Sequence, residues 1–423
     1  MLLSDSISEV LPQPQVLADG SVRNGFLRSY VEYASYCSDA PELYHVGVGL
    51  TILATACASK LLCPWMAGRI LVPNLYTLLV GPSRSARKTG SMDMGTAIVQ
   101  GVSAELVMPV PGSYEELIAQ IREKPAGLLT YREFSHFLKT TMRGYGEPIR
   151  TVLMDLYDHP PGVPYTRNLR KGKTIIEGVC LNMLSSIATE LLFSYSDKEE
   201  WMGGFFGRML ILYGARGTFR LPNTWPEATT HLIASLCNYS NWPIPPCGGF
   251  APLAWQELAK WAQHHDSHTI DAPSRVQTFI AGSTTLAAKI ALLYAADQGE
   301  FMAGAGWQVS MESMRRAMLF VDKLYLPSIF ALGERLALGP WERDRQRILD
   351  AIESRHSGIL RRDLLKIVKI SSDFMDQLIN TLKEEGTITQ SQHAAGPWYK
   401  KVTTGDEGGG GTVIPFPQGG VGG

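Results

Sequence analysis

The sequence has little excess of charge and few cysteines, and each shortage excludes a class of protein. Its 423 residues carry 39 Lys and Arg against 40 Asp and Glu, a formal net charge of -1. A uniformly basic nucleic-acid binder is therefore excluded, and any basic surface must be local. The six cysteines include no Cys-x-x-Cys pair. That argues against a disulfide framework or a zinc ribbon and favours a reducing cytoplasm.

Long hydrophobic runs are also scarce. The longest, from about Val46 to Ala58, is bounded by His45 and Lys60. It falls short of the ~20 residues that span a bilayer and predicts a buried helix. The N-terminal stretch MLLSDSISEVLPQPQ has neither the basic start nor the apolar core of a secretory signal. We therefore expect a cytoplasmic protein without a membrane partner.

The composition is that of a folded globular protein. Apolar residues make up 45% of the chain and charged residues 19%. At roughly 150 residues per domain, the length suggests about three domains. Changes in composition divide the chain into seven segments. They are a loose N-terminal tail (1–23), a helical segment (24–69), an α/β core (70–216), a Pro-rich connector (217–250), a helical extension (251–338), a compact C-terminal unit (341–402) and a disordered Gly-rich tail (403–423).

The α/β core is predicted from short apolar runs that alternate with helical patterns. Runs without polar alternation are typical of strands that are buried on both faces, as in a parallel sheet. Their alternation with helices indicates an α/β fold with a mostly parallel sheet. The four runs are Asn74–Val80, Gly127–Tyr131, Val179–Leu184 and Met209–Tyr213.

The first run leads into a loop with the residues of a phosphate-binding turn, Gly81-Pro-Ser-Arg-Ser-Ala-Arg-Lys-Thr89. The backbone N–H groups of such a turn and the following helix N-terminus bind phosphate. A lysine then reaches the outer phosphates, and the next hydroxyl binds Mg²⁺. We assign these two roles to Lys88 and Thr89, with ATP and Mg²⁺ as cofactors. Gly81, Ser83 and Arg87 are further candidate contacts in the loop.

The spacing of this loop departs from the usual Gly-x4-Gly-Lys-Ser/Thr pattern. Ala86 sits near the usual second glycine, and alanine restricts φ > 0. Read without a gap, the pattern would place Arg87 in the lysine position. The alternative is a strand-to-helix turn with solvated basic residues.

An acidic residue follows the second run. A nucleotide hydrolase needs a carboxylate at the end of a neighbouring strand, to hold magnesium-bound water or to orient the attacking water. Glu133 fits the water-orienting role, whereas Arg132 stands where an aspartate would bind magnesium. Alternatively, Glu133 opens the following helix and favours its dipole.

Two further strand ends carry candidate residues. Arg208, after the glycines of Gly203-Gly-Phe-Phe-Gly, precedes the fourth run. An arginine presented there is expected to act on the γ-phosphate of a neighbouring subunit. The alternative is an ion pair with the acidic residues of 197–200. Asn182, Ser185 and Ser186 end the third run and are candidates to contact the γ-phosphate or its water.

Residues 341–402 have the order of a winged helix, three helices followed by a hairpin. They carry 11 Lys and Arg against 9 Asp and Glu, a net charge of +2. The helix expected in the major groove is acidic, so this unit predicts contact with a DNA backbone without sequence reading. A winged helix used for protein contacts is the alternative. The candidate DNA contacts are Arg361, Arg362, Lys366, Lys400 and Lys401.

A second basic stretch lies within the α/β core and is either a loop lining a ring pore or an exposed hairpin. Pore loops grip single strands through their phosphates. The candidate contacts here are Arg167, Arg170, Lys171 and Lys173.

Taken together, these motifs resemble a known family over about residues 24–330. The chain is similar to the P-loop ATPases of phages, integrated elements and plasmids, which are often described as primase- or helicase-associated. The order and spacing of the motifs carry the resemblance. The motifs are NLYTLLVGPSRSARKT, GLLTYREFSHFL, LMDLYDHPPGVPYTR, LNMLSSIATELL, GGFFGRMLILY and LAAKIALLYAAD.

The resemblance implies a RecA-like ATPase core between helical segments, in a homo-oligomer that forms a ring, for example a hexamer. Arg132 departs from the Asp-Glu pattern of the family. The implied roles are phosphate lysine for Lys88, magnesium ligand for Thr89, acidic catalytic residue for Glu133, trans-acting arginine for Arg208 and nucleotide-sensing arginine for Arg275.

The sequence therefore predicts an ATP-hydrolysing protein that acts on DNA in the replication or maintenance of a phage or mobile element. It would be a helicase-like motor, a loader or a remodeller, working with a replication partner. The alternative is a degenerate ATPase fold that serves as a DNA-binding or protein-binding adaptor through its winged helix.

Overall fold

The computed structural model divides the chain into two compact units, residues 1–333 and 334–423. Most of both units is described. The described residues are 3–16, 22–57, 60–141, 147–160, 162–169, 172–196, 201, 203–215, 219–270, 272–337, 340–355, 358–393 and 396–402.

Helices and strands alternate through the centre of the first unit. The described helices of eight residues or more, with two shorter ones, are α1 (Asp5–Val10), α2 (Phe26–Cys37), α3 (Glu42–Cys57), α4 (Lys88–Val102), α5 (Tyr114–Glu123), α6 (Phe134–Thr141), α7 (Glu147–Asp158), α8 (Thr189–Tyr195), α9 (Pro226–Asn241), α10 (Pro252–Thr269), α11 (Ser274–Asp297), α12 (Met311–Phe320) and α13 (Leu326–Ala337). The strands are β1 (Gln15–Val16), β2 (Val22–Arg23), β3 (Cys63–Pro64), β4 (Ile70–Leu71), β5 (Tyr76–Gly81), β6 (Val107–Met108), β7 (Ala126–Tyr131), β8 (Tyr165–Leu169), β9 (Gly172–Ile176), β10 (Cys180–Ala188), β11 (Met209–Tyr213), β12 (Cys247–Phe250) and β13 (Trp307–Val309).

A five-stranded parallel sheet lies at the centre of this unit, in the order β11-β5-β10-β7-β6. All six residues of β5 are buried, as are eight of the nine in β10. Burial of both faces explains why these strands lack polar alternation. The predicted α/β class is confirmed, and the sheet is consistent with a Rossmann-like or RecA-like core.

Helix α3 packs on the sheet and ties it to the preceding helices. It contacts β5, β10 and β11, and every residue from Tyr44 to Cys57 is buried. The hydroxyls of Thr51 and Thr77 lie 2.6 Å apart and link the helix to β5 inside this apolar contact. The run from Val46 therefore forms the buried helix that the sequence predicts.

Helix α11 is, like α3, buried in the core of the unit. By length and composition it is apolar enough to cross a membrane, but its most apolar window is 78% buried inside the protein. It is the one helix of this kind among the described residues. Core helices of globular proteins pass the same test, since a helix that is apolar on all sides must be buried on all sides.

The second unit has three helices and a small antiparallel sheet. Strand β16 lies between β14 and β15. The hydroxyl of Ser371 caps the third helix by accepting from the amide of Phe374. The elements are α14 (Pro340–Glu353), β14 (Ile359–Leu360), α15 (Arg361–Val368), α16 (Ser372–Glu384), β15 (Ile388–His393) and β16 (Gly396–Lys401).

Three expected segments differ from the structure. The N-terminal tail (1–23) contains α1, and Leu11 after it is fully buried, because the Arg316 side chain donates to the carbonyls of Glu9 and Leu11. The connector (217–250) contains the 16-residue helix α9, since Pro226 stands at a helix start, where proline is tolerated. Residues 24–333 form one unit, and the boundary lies at 333/334 rather than after 338. The tail 403–423 lies outside the described residues.

Tyr44 holds the carboxyl ends of two strands together and supplies a test of this fold. Its buried hydroxyl donates to the carbonyl of Val80 (2.6 Å) and accepts from the amide of Gly214 (3.1 Å). Loss of bonds to buried partners costs about 1–3 kcal/mol. Tyr44→Phe should therefore lower the free energy of unfolding in urea by about that amount. Tyr36→Phe, at a half-exposed ring, is the control and should change it by less than about 0.5 kcal/mol.

Candidate functional site

Parallel pairing places the ends of three adjacent strands at one edge of the sheet. Ala188 of β10 is opposite Gly81 of β5, and Ser185 is opposite Tyr131 of β7. The segments that follow these strands therefore emerge side by side. In open parallel sheets, ligands bind at the carboxyl ends of the strands. We call this the carboxyl edge, and the opposite one the amino edge.

The segment after β5 forms a tight turn that contains two left-handed residues. Arg84 and Arg87 both have left-handed backbone angles, with φ of 61° and 52°. The residue directly before Lys88 is thus left-handed, the conformation that glycine adopts most readily. The left-handed position next to the lysine belongs to Arg87, whereas Ala86 was expected near it.

Lys88 begins helix α4 and points back into the loop. Its ammonium donates to the carbonyls of Gly81 and Pro82, each at 2.8 Å, and the residue is buried. Burial lowers the pKa of Lys88 to about 8, although the nearby carboxylates of Glu190 and Glu133 act in the opposite direction. Lys88 is therefore a buried cation in a loop at the end of a central strand.

Gly81 is required by close packing. A Cβ atom there would lie 2.3 Å from the hydroxyl of Tyr44 and 2.6 Å from the carbonyl of Gly214. Any other side chain at position 81 would displace the backbone of Gly214 and the ring of Tyr44. This packing fixes the carbonyl of Gly81, which Lys88 contacts.

The other loop residues differ in what they face. The guanidinium of Arg87 pairs with Asp39 at 3.2 Å, so Lys88 rather than Arg87 is the cation held inside the loop. Thr89 is partly buried in the first turn of α4, next to Lys88, and Ser83 is exposed. Both hydroxyls therefore lie on the loop or on the helix start that follows it.

Glu133 lies two residues beyond β7, at the same edge. Its side chain is exposed, and its carbonyl accepts from the amide of His136 at the start of α6. Glu133 therefore opens the following helix, which is one of the two sequence interpretations, and its charge acts on Lys88. Its neighbour Arg132 pairs with Asp93 of α4 at 2.7 Å. Arg132 is thus held against α4. It occupies the position at which the sequence pattern of a nucleotide hydrolase would have an aspartate that binds magnesium.

Glu190 is a residue of this edge that the sequence reasoning missed. It lies in the first turn of α8, two residues beyond β10. Its charge acts on Lys88 more strongly than that of Glu133. The signal was present, since Glu190 follows its strand by the same two residues as Glu133. Only the strand order shows that β10 lies between β5 and β7.

The polar residues of β10 are divided between the two edges. Ser186 donates to the carbonyl of Arg132 (2.7 Å) at the carboxyl edge, and Ser185 donates to that of Thr77 (2.8 Å) within the sheet. Asn182 was expected with them but lies near the amino edge, where its side-chain oxygen accepts from the amide of Leu75. The strand continues to Ala188, so its polar residues occupy earlier positions than the apolar run suggested.

Arg208 lies at the amino edge, directly before β11. Its guanidinium pairs with Asp158 at 2.7 Å and donates to the carbonyl of Gly204 at 2.8 Å. The expected alternative partners, residues 197–200, lie outside the described residues. Since β11 runs five residues to the carboxyl edge, about 16 Å, Arg208 is remote from Lys88 of its own chain.

Arg275 lies on the same side as Arg208. It is in the first turn of α11, one turn before Thr278, whose methyl group would be 2.7 Å from a Cβ on Gly207. Its Nε is buried and has no hydrogen-bond partner among the described residues. Helix α11 thus packs against the Arg208 loop through Thr278, while the side chain of Arg275 lies beside Gly333 of α13.

The candidate nucleic-acid contacts are largely engaged within the protein. Arg167, on the β8–β9 hairpin, pairs with Asp155, and Arg361 makes two bonds to Asp376, at 2.9 and 2.6 Å. The exposed-hairpin reading fits residues 165–176. The remaining pairs are Lys401 with Glu353, and Arg362 and Lys366 with Asp363 at 4.0 and 3.7 Å. Lys400 lies on β16, Lys173 lies on β9 with its side chain outside the described part, and Arg170 and Lys171 lie outside it altogether.

No protein-family model and no curated protein matches the chain. Within the described ranges, no three His, Cys, Asp or Glu side chains gather in a group that would hold a metal ion. The carboxyl edge therefore offers two carboxylates, one buried cation and hydroxyls. That set suits a phosphate-bearing ligand whose magnesium is bound mainly by the ligand itself and by water.

The left-handed arginines of the loop give a test of its geometry. Non-glycine residues lose about 1 kcal/mol or more in this conformation. Arg84→Gly should therefore raise the free energy of unfolding by up to about 1 kcal/mol in urea. Arg315→Gly, the same change on the exposed face of α12, should lower it by about 1 kcal/mol. Destabilisation by both changes would contradict the loop conformation.

Proposed function

We propose that the protein binds and hydrolyses ATP at the carboxyl edge, through a P-loop in a RecA-like core. The observation that carries this proposal is the position of Lys88, buried at the start of α4 behind a tight loop and facing Glu133 and Glu190. The phage and mobile-element ATPases that the sequence resembles supply the reaction class.

Each part of the edge has a role in this proposal. The N–H groups of residues 83–88 and the start of α4 bind the phosphates. Lys88 exchanges its two carbonyl partners for phosphate oxygens, which compensate its burial. The hydroxyl of Thr89 is a ligand for the Mg²⁺ that ATP carries, and this ion neutralises charge on the phosphates. Gly81, Ser83 and Arg87 shape the loop around them.

The two carboxylates complete the proposed chemistry. Glu133 would orient the attacking water, and Glu190, in the first turn of α8, would hold a water of the Mg²⁺ that ATP carries or support the same attacking water. The carbonyl of Arg132 is fixed by Ser186, which holds the start of the Glu133 segment. This pair would supply the acidic function that Arg132 does not.

Arg208 is proposed to act on a neighbouring subunit. It lies at the amino edge of its own sheet, far from its own Lys88, so it serves a nucleotide only across a subunit contact. A ring-shaped homo-oligomer, for example a hexamer, provides such contacts repeatedly. Arg275, on the same side, would sense nucleotide across the same contact.

Nucleotide hydrolysis in variants tests the proposed roles. Lys88→Ala should weaken ATP binding about 10- to 100-fold, since it removes a charge-assisted contact. Glu133→Gln should retain binding and lose hydrolysis at least about 100-fold. Glu190→Gln should lower hydrolysis less than Glu133→Gln does. Lys139→Ala, at an exposed lysine of α6, is the matched control and should change neither.

Both activities are measured with Mg²⁺, with and without single- and double-stranded DNA. Stimulation by DNA supports a motor, loader or remodeller. Equal turnover in the wild type and in Lys88→Ala would overturn the proposed ATPase site. Mixing Arg208→Ala subunits with Lys88→Ala subunits should restore part of the activity if Arg208 acts in trans.

The pH dependence of binding tests the state of Lys88. Only the ammonium form contacts phosphate, and the pKa in the free protein is lowered to about 8. Above pH 8, binding must take up a proton, so the Kd for ATP should rise by up to tenfold per pH unit. Below about pH 7.5, Lys88 is mostly protonated, so it should not make the Kd for ATP depend on pH. In Lys88→Ala the weaker Kd should stay flat over pH 7.5–9.5.

The second candidate is an adaptor built on a catalytically weak ATPase fold. The ion pairs of the second unit favour it, because Arg361 and Lys401 are neutralised by Asp376 and Glu353. The order of helices and strands there is that of a winged helix, and exposed pairs of this kind suit a protein partner as well as a DNA backbone.

A salt titration of DNA binding distinguishes a DNA partner of the winged helix from a protein partner. If the winged helix holds DNA, affinity should fall steeply with salt, and Lys366→Ala or Lys400→Ala should reduce the slope by about one each. Lys383→Ala, at a lysine bonded to Gln390, is the control. DNA affinity unchanged by Lys366→Ala and Lys400→Ala together would favour the protein-binding alternative.

A further inference from the structure

Two cysteines that are far apart in the sequence meet in the first unit, away from the carboxyl edge. Cys63 lies on β3 and Cys247 on β12, and these strands are in contact. The thiol of Cys63 donates to the carbonyl of Pro64 at 3.5 Å, and the Cys63 and Cys247 thiols are close enough to affect each other's pKa. Both cysteines are free, and both are buried.

The backbone around Cys247 is shaped toward its sulfur. The register of β12 against β13 shifts between Cys247 and Gly249, leaving Gly248 as an extra residue. Gly249 has φ of 113°, and its amide donates to the sulfur of Cys247 at 3.4 Å. A β-bulge changes the direction in which neighbouring backbone and side-chain groups point. Cys247 therefore receives a backbone donor on the side of the sheet that its bulge exposes to it.

The backbone donor favours the thiolate of Cys247. The neighbouring thiol of Cys63 and the Gly249 amide lower the pKa of Cys247, whereas burial opposes this effect. Cys247 also keeps a small exposed fraction, while Cys63 is fully buried. Cys247 is therefore the thiol suited to attack and Cys63 the one suited to resolve.

Aromatic packing already holds the two segments together. The ring of Trp65, next to Pro64, lies 5.6 Å from that of Phe250 and 5.5 Å from that of Trp255, centroid to centroid. The β3–β4 hairpin therefore rests on β12 and on the start of α10 before any covalent bond forms. This packing keeps the two cysteine-bearing segments side by side in the reduced protein.

We propose that Cys63 and Cys247 form a reversible disulfide that locks the β3–β4 hairpin onto β12, with a small peroxide as the oxidant. The Cys247 thiolate attacks one oxygen of hydrogen peroxide, and the O–O bond breaks to give a sulfenic acid and hydroxide, which the displaced proton converts to water. The Cys63 sulfur then attacks the sulfenic sulfur, and its S–O bond breaks to release a second water. Two thiols are oxidised by two electrons, and one peroxide is reduced.

The proposed disulfide constrains the β3–β4 hairpin, and this segment leads directly into the central strand β5. Trp65, Arg69, Ile70 and Leu71 of the hairpin line a pocket of about 780 Å³, and Lys289 of α11 closes it. Lys289 donates to the side-chain oxygen of Asn74 at 2.6 Å, just before β5. Oxidation therefore fixes the approach to β5 at the amino edge, a control that is separate from the nucleotide loop.

Peptide mapping of the full chain tests the lock. The protein is reduced, freed of reductant and treated with stoichiometric hydrogen peroxide, and then digested without reduction. We expect one Cys63–Cys247 peptide, a mass loss of 2 Da and full reversal by dithiothreitol. Cys63→Ser should instead leave a sulfenic acid on Cys247 that dimedone traps. Cys247→Ser should form neither.

Cys237→Ser is the matched control, because Cys237 is half-exposed and shares a tryptic peptide with Cys247. This variant should form the bond as the wild type does. In oxidised protein we expect a melting temperature several degrees higher and slower hydrogen exchange across residues 63–71. Oxidation at Cys237 without the Cys63–Cys247 peptide, or a bond formed only in urea, would overturn the proposal.

Discussion

The parallel register of β5 between β11 and β10 is the constraint on which the rest of the structure depends. It places Gly81 opposite Ala188, so the segments after β5 and β10 leave the sheet together. Tyr44 then fastens the ends of β5 and β11 through hydrogen bonds to Val80 and Gly214. No space remains for a side chain on Gly81. The loop that follows is fixed by packing before any ligand binds.

The electrostatics of the carboxyl edge follow from this fixed loop. Lys88 is buried, and burial alone disfavours its charge. The carbonyls of Gly81 and Pro82 and the carboxylates of Glu190 and Glu133 offset part of that cost. In the function proposed above, the phosphates of ATP would offset more of this cost than these partners do.

The two edges of the sheet differ in the groups they carry. The carboxyl edge has the loop, the cation and two carboxylates. The amino edge has the Arg208–Asp158 pair, which joins the start of β11 to the end of α7, and the buried Lys289 of α11, the helix that Arg275 begins. Because α11 is buried along most of its length, it connects the amino edge rigidly to the helical part of the unit. A neighbouring subunit that contacts this edge would thus be coupled to the sheet.

The sequence by itself determined the α/β class, the buried helix α3, the four main strands and the three helices with a hairpin at the C-terminal end. Local apolar periodicity and capping decide those features, so they can be predicted from one amino-acid sequence. The tertiary structure alone decided that Glu190 faces Lys88, that Asn182 and Arg275 lie at the amino edge, and that Cys63 meets Cys247. Those positions depend on strand order and on contacts between distant segments, which no local pattern encodes. The helix within the N-terminal tail was missed for the same reason, since Arg316, far along the chain, holds it in place.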